Sequence, residues 1–137
     1  MSNKNQPAVA DALNALLADS FALYLKTKNY HWHVKGPSFR SLHLLFDEQA
    51  AQILATTDLI AERVRKNGAA TLRSIGDISR RQSIKDDDAA SVDAETMVRN
   101  LAADNETLLA QLKDAKAAAE ADGDIATSGL VDGWADE

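Results

Sequence analysis

The sequence predicts an all-α protein, a four-helix bundle with a short extra helix in the long connection between helices two and three. Three segments carry apolar residues at helical spacing over about 27 to 30 residues each. No segment alternates apolar and polar residues as a half-buried strand does. The polar stretch 69–90 contains TLRSIGDIS, and we expect this part to form the short helix with Leu72 and Ile75 turned inward. A four-helix bundle accommodates such a long crossover connection.

Helix one is expected to begin near Pro7, a residue suited to a first helical turn, and to run to about Val34. Gly36-Pro37 then breaks the helix. Helix two runs from about Ser38 to Lys66. The inward residues of these two helices follow the helical repeat: Leu13, Leu16, Ser20, Leu23, Thr27 and His31 in helix one, and Leu42, Phe46, Gln49, Ile53, Thr56, Ile60 and Val64 in helix two.

Helix three is expected to begin near Ser91 or Asp93, either of which is a good N-cap, and to end at Asp122-Gly123. Its buried stripe is Met97, Leu101, Leu108, Leu112, Ala115 and Ala119. Helix four begins after Asp124 and covers about half the length of the others before residue 137. We therefore expect one domain, 1–137, whose last helix is truncated and lacks its natural C-terminal segment.

Composition narrows the class of function. The net charge is −6 and the pI is about 5.0, which suits cations better than nucleic acid. The absence of cysteine excludes disulfides, zinc–thiolate sites and thiol nucleophiles. No signal-peptide core begins the chain and no run approaches eighteen apolar residues. We expect a soluble, cytoplasmic protein with no membrane partner.

Helix two carries two pairs of metal-ligand residues on one face. His43 and Asp47 are four residues apart, as are Asp58 and Glu62, and the two pairs point in similar directions. However, His43 and Asp58 are about 22 Å apart along the helix axis. Antiparallel pairing with a second copy, across a two-fold axis near residues 50–53, would bring the pairs together at two equivalent sites. The residues at the crossing are Ala50, Ala51 and Leu54, mostly small.

A solvated face is the alternative interpretation of these residues, with salt bridges such as Glu62 to Lys66. His31 lies at the inward end of helix one and is either a satisfied core histidine or a further ligand, whereas His33 points to solvent. Asp86, Asp87 and Asp88 form either an acidic metal patch or a solvated loop. The closeness of His31 to His43 and to the acidic pairs favours a ligand role for His31.

The segments KNYHWHVKGPSF, LHLLFDEQ, DLIAERV and GDIATSGL resemble the Dps proteins, ferritin-like mini-ferritins named as DNA-binding proteins from starved cells. The resemblance implies a ferritin-like domain that oxidises Fe(II), preferably with hydrogen peroxide, and stores ferric mineral in a hollow dodecamer. It implies a ferroxidase that protects DNA from oxidative damage. Matched by motif, the iron ligands are His31, His43 and Asp47 of one chain and Asp58 and Glu62 of its two-fold partner, with Trp32 beside the centre.

The family also suggests secondary roles. Trp32 would intercept a stray one-electron oxidant, and Glu48 or carboxylates near Asp47 would help to nucleate mineral. Asp124, Asp132 and Asp136 are candidate pore acids, with helix caps and solvated charge as the alternative. His33 stands where relatives often carry asparagine, so it is not counted as a ligand.

Two other functions compete with iron storage. One is a DNA-coating structural protein, associated with the nucleoid, in which iron is secondary. The other is a helical interaction module whose histidines only pack. Phosphate contacts need clustered Lys and Arg, whereas the tail MSNKNQ offers one lysine. We therefore expect weak or no DNA binding at physiological salt.

Overall fold

The computed structural model describes residues 6–135, and within this range it contains five α-helices and no strand. The short helix in the connection is confirmed, although it begins four residues later than the stretch 71–79 expected to form it. The other helices begin and end within one or two residues of the predicted positions. Their bounds are α1 Gln6–His33, α2 Phe39–Lys66, α3 Ile75–Arg81, α4 Ala94–Ala121 and α5 Ile125–Ala135.

A turn of only five residues joins α1 to α2 and reverses the chain. Gly36 has a φ of +104°, in the left-handed region that glycine adopts without the steric cost of a Cβ atom. Pro37 follows it, so the helix cannot continue. The tight reversal brings the last turn of α1 beside the first turns of α2.

Two apolar clusters fill the bundle, one at each end. The first joins the N-terminal half of α1 to the C-terminal halves of α2 and α4 and to α5, through residues such as Leu13, Val64 and Trp134. The second joins the C-terminal half of α1 to the start of α2 and of α4, through Tyr30, Phe46 and Leu101 among others. The stripes predicted for α1, α2 and α4 supply most of this core.

Polar side chains of α1 hold the connection between α2 and α4 in place. The Asp19 carboxylate is fully buried and accepts hydrogen bonds from the backbone N–H groups of Ser83 and Ile84, from the Ser83 hydroxyl and from the Gln111 amide. About two turns farther along α1, the Lys26 ammonium donates to the Lys85 carbonyl at 2.9 Å. Because this part of the connection has no regular structure, side chains satisfy its backbone groups.

Two sequence-based placements are wrong. Ala50 is fully buried against its own chain, so it does not face a partner, because the core stripe of α2 includes it beside Phe46. Ala51 and Leu54 are exposed as expected. Ile75 is 86% exposed, because it is the first residue of α3 and its helix packs through later positions, whereas Leu72 packs against the core as predicted.

By length and composition alone, α1 could cross a membrane over Pro7–His33. However, 61% of its most apolar 18-residue stretch is buried inside the fold. A core helix of a soluble protein has the same properties, so this is weak evidence for a membrane span.

Replacing the Asp19 carboxylate tests the anchoring of the connection. We expect Asp19→Ala to lower the free energy of unfolding by about 3 kcal/mol, because it leaves several buried donors without an acceptor. Urea denaturation of both proteins at one protein concentration measures this. Asp11→Ala, at an exposed position of the same helix, should change it by less than about 0.5 kcal/mol. Equal stability of the two variants would contradict the anchoring role.

Candidate metal centre

The last turn of α1 and the first turns of α2 are joined by a reciprocal pair of histidine hydrogen bonds. The His31 Nδ1 lies 2.6 Å from the His43 carbonyl oxygen, and the His43 Nδ1 lies 2.7 Å from the His31 carbonyl oxygen. The two rings stack with centroids 3.9 Å apart, and Phe39 stacks on the other face of His43 at 5.0 Å. The His31 carbonyl is free for this bond because the last carbonyls of a helix have no partner within it.

These hydrogen bonds determine the tautomer of both rings. A carbonyl oxygen only accepts, so each Nδ1 must carry the proton and donate. In the neutral imidazole each Nε2 then keeps its lone pair. An Nδ1–H bonded to a carbonyl is also the usual outer contact of a metal-binding histidine, since it fixes the ring orientation. The chain therefore presents two adjacent imidazoles whose outer nitrogens are suited to bind a cation.

Asp47 lies beside this pair. Its Oδ1 is 3.8 Å from the His31 Nε2 and 2.8 Å from the Lys28 ammonium. The Lys28 hydrogen bond lowers the pKa of the Asp47 carboxyl, and the nearby histidines act in the same direction. The carboxylate is half-exposed and stays charged at neutral pH. The structure thus places three of the five sequence-predicted ligands at the same end of the α1–α2 contact, although they are not close enough together to hold an ion by themselves.

Asp58 and Glu62 are exposed on α2, on the side of the helix that also carries Asp47. They lie three to four turns farther along the helix and do not reach the histidines of their own chain. Among residues 6–135, no three His, Asp or Glu side chains are grouped closely enough to hold an ion. A complete ligand shell of the predicted composition needs side chains from outside this chain.

The neighbouring residues have different surroundings. Trp32 is 58% exposed, and the Lys28 ammonium lies 5.8 Å from the centre of its ring. His33 is exposed, and its Nδ1 lies 2.8 Å from both the backbone and the side-chain oxygen of Asn29, in agreement with the predicted solvent-facing position.

Lys28 is the residue that sequence reasoning missed. It precedes His31 by three residues and so shares its helix face, which is the signal that could have revealed it.

The other predicted acidic positions have structural partners. The Asp87 carboxylate accepts the Tyr30 hydroxyl at 2.6 Å, so it is part of the anchored connection. Asp124 caps α5 by accepting from the Thr127 backbone N–H at 3.0 Å. Asp132 accepts from Lys116 at 2.7 Å, whereas Asp136 lies outside the described residues. Within this chain, Asp124 thus serves as a helix cap and Asp132 as the ion-pair partner of Lys116.

Comparison with known proteins identifies the family of the fold. A family model described as a ferritin-like domain matches residues 10–137. An uncharacterized low temperature-induced protein of Nostoc is 39% identical over 114 residues, which are 83% of this chain and 64% of that protein. The chain therefore spans less than two thirds of that relative's length.

Two Dps proteins match over nearly the whole chain. The DNA protection during starvation protein of Brevibacillus brevis is 33% identical over 96% of this chain and 88% of its own length. A solved structure superimposes with a TM-score of 0.91 and 29% identity, covering 98% of this chain and 84% of the other. It is a Dps protein of Vibrio cholerae, described as a member of a broad superfamily of ferritin-like diiron-carboxylate proteins. The chain belongs to the Dps family of ferritin-like proteins.

Proposed function

We propose that this protein is an iron-storage and detoxification protein, a ferroxidase that oxidises Fe(II) at sites shared between two subunits. The observation that carries the proposal is the reciprocal hydrogen bonding of His31 and His43 through their Nδ1 atoms. Neither Nε2 has a hydrogen bond within residues 6–135, and the His31 Nε2 lies 3.8 Å from the Asp47 carboxylate. Imidazole and carboxylate are ligands that suit iron. The diiron-carboxylate description of the Vibrio relative supports the same metal.

A second copy of the chain supplies the remaining ligands in this proposal. If two α2 helices cross antiparallel near their middles, the histidine end of each lies beside the acidic end of the other. His31, His43 and Asp47 of one subunit then bind iron together with Asp58 and Glu62 of the partner subunit. Exposed Ala51 and Leu54 lie between the two ends on the same side of α2, and they allow close approach.

The chemistry follows from the ligand set. Two Fe(II) ions give one electron each to hydrogen peroxide, which takes up two protons and becomes two water molecules. Carboxylates are hard ligands and stabilise the Fe(III) product, while the neutral imidazoles hold Fe(II) before oxidation. The protein therefore contributes ligands that hold the two irons in place and carboxylates whose negative charge stabilises Fe(III). Ferric product is stored in a hollow dodecamer, with Glu48 helping to nucleate mineral, and Trp32 intercepts stray one-electron oxidants.

The name of the Brevibacillus relative, DNA protection during starvation protein, supports a protective role. In this proposal the protein protects DNA by consuming peroxide. A DNA coat is the alternative function. With a net charge of −6 the chain repels phosphate at long range, so we expect contact with duplex DNA to be weak at physiological salt. Cytoplasmic iron oxidation accounts for the histidine pair, which DNA coating leaves unexplained.

Lys28 is expected to oppose cation binding. We expect Lys28→Met to tighten binding of Co(II), an oxygen-stable substitute for Fe(II), by about 3- to 10-fold, because the ammonium no longer occupies Asp47 or repels the ion. Visible absorbance titration measures the affinity. Lys35→Met removes the same charge from the exposed turn beyond α1 and should have little effect. Equal affinities of the two variants would argue against competition at Asp47.

A mixed oligomer tests whether the site is shared. Asp58→Ala and His43→Ala should each abolish most of the fast peroxide-driven oxidation, since each removes a ligand. In a dimer that pairs the two variants, one site has all its ligands and the other carries both lesions. A random one-to-one mixture should therefore recover about one site in four, measured by stopped-flow ferric absorbance.

The matched control combines His43→Ala with His31→Ala. Both lesions then lie in the same half-site, so every dimer lacks a ligand at both sites and no recovery is expected. Equal recovery in the two mixtures, or none in either after subunit exchange is demonstrated, would contradict the shared site.

A further inference from the structure

An asparagine–glycine pair lies at the end of α2, outside the candidate metal centre. Asn67 and Gly68 directly follow the last residue of this helix, and no other asparagine of the chain precedes a glycine. The backbone nitrogen that follows an asparagine can attack the side-chain amide carbon, and glycine hinders this attack least because it has no Cβ atom. Spontaneous deamidation is therefore favoured at Asn67 over the other asparagines. The proposed iron oxidation uses neither residue.

The turn after α2 has room for this reaction but holds the attacking nitrogen in a hydrogen bond. Gly68 is exposed, and a Cβ atom added to it would meet no other atom within 4 Å. Its φ of +87° places its N–H against the end of the helix, where it donates to the Arg65 carbonyl at 3.0 Å. This bond has to open before the Gly68 nitrogen can attack, so the reaction requires the helix end to loosen.

Three neighbouring side chains hold the Asn67 amide. Its Oδ1 accepts from the Arg63 guanidinium at 2.8 Å, and its Nδ2 donates to the Asp124 carboxylate at 3.0 Å and to the Thr127 hydroxyl at 3.4 Å. Thr127 is fully buried and Asp124 caps α5, so both contacts belong to the first turn of that helix. The amide therefore joins α2 to α5, and it is free to turn toward Gly68 only when α5 detaches.

The Arg63 guanidinium suits a carboxylate at position 67 better than it suits the amide. Its Nε is buried and has no hydrogen-bond partner within residues 6–135, whereas its Nη2 binds Asn67. A buried donor without an acceptor is destabilising. A carboxylate offers two oxygens to the Nε and Nη2 of one guanidinium, which is the bidentate geometry that arginine favours. Conversion of Asn67 to aspartate would therefore satisfy a donor that the amide leaves unpaired.

The same conversion breaks the contact with α5. A carboxylate at position 67 has no N–H group to donate, and it would face the Asp124 carboxylate. Burial acts to raise the pKa of the Asp124 carboxyl, but hydrogen bonds from Thr127 and Asn67 hold this pKa below its usual value, so the group is charged at neutral pH. Two like charges in contact repel each other. Deamidation therefore replaces a bond between α2 and α5 with a repulsion.

We propose that Asn67 is a spontaneous modification site whose deamidation is restrained by the docking of α5 and weakens that docking once it has occurred. Because α5 has only 11 residues, it is marginal on its own and opens locally more readily than the whole fold. In the open state the Gly68 nitrogen loses its proton to water and bonds to the Asn67 Cγ. The Cγ–Nδ2 bond breaks, and the leaving nitrogen takes a proton from water and departs as ammonia. One water molecule then opens the cyclic imide to aspartate or isoaspartate.

The first experiment measures deamidation at each asparagine. The protein is incubated in mildly alkaline buffer, and peptide mass spectrometry follows the conversion over time. We expect Asn67 to convert faster than Asn105, which is exposed but precedes a glutamate. Asp124→Ala should speed conversion of Asn67 by about tenfold, because the docked helix loses one charge-assisted hydrogen bond.

Asp114→Ala is the matched control for Asp124→Ala. It removes the same charge from an exposed position of α4 and should leave the rate at Asn67 unchanged. Circular dichroism of both variants verifies folding. Equal rates in the two variants would overturn the restraint by α5. Conversion of Asn105 as fast as Asn67 in the wild-type protein would overturn the assignment of the site.

The second experiment tests the effect of the product on α5. Asn67→Asp reproduces the aspartate, and hydrogen–deuterium exchange measures the protection of each helix. We expect the amides of α5 to exchange about tenfold faster than in the wild type, since the lost bond was made to a charged group. Asn105→Asp adds the same charge on α4 and should leave exchange in α5 unchanged. If α5 exchanges in Asn67→Asp as it does in Asn105→Asp, deamidation does not weaken docking and the proposal fails.

Discussion

The exchange of hydrogen bonds between His31 and His43 is the contact on which the candidate site depends. It connects two helix ends through the side chain of each histidine and the backbone of the other, so neither ring can turn without losing its own bond. The same geometry satisfies a carbonyl at the end of α1 and orients both Nε2 atoms away from the backbone. A structural requirement of the fold and a chemical requirement of a metal ligand are thus met by one interaction.

The rest of the bundle holds these two helix ends in register. Below the histidines, Tyr30 packs on Phe46 and is hydrogen-bonded to Asp87 and Asn100, which connects the end of α1 to the long connection and to α4. Farther along α1, Asp19 binds the same connection. The position of the histidines is therefore fixed by polar contacts that extend along most of α1. The exposed side of the candidate site is formed by α2, which carries Asp47, Asp58 and Glu62.

Sequence periodicity was sufficient for the helices and for the closeness of His31, His43 and Asp47, because helix position and face follow directly from residue spacing. It failed where contacts depend on how helices are rotated against one another. Ala50 shares the direction of both the core stripe and the small-residue face, and only packing decides between them. Lys28 pairs with Asp47 across two helices. Spacing within α1 places Lys28 on the face of His31 but does not show that Lys28 reaches Asp47. The partner ligands Asp58 and Glu62 remain a prediction, since they involve a second chain.

Anomalous diffraction at the iron absorption edge, from crystals grown with Fe(II) without oxygen, measures the central claim most directly. The account predicts an iron peak bonded to the Nε2 atoms of His31 and His43 of one subunit and to carboxylate oxygens of Asp58 and Glu62 of the partner subunit. Both histidines should keep their Nδ1 contacts to the opposite carbonyl. An iron peak bound by residues of one chain alone, or bound without the two histidines, would contradict it.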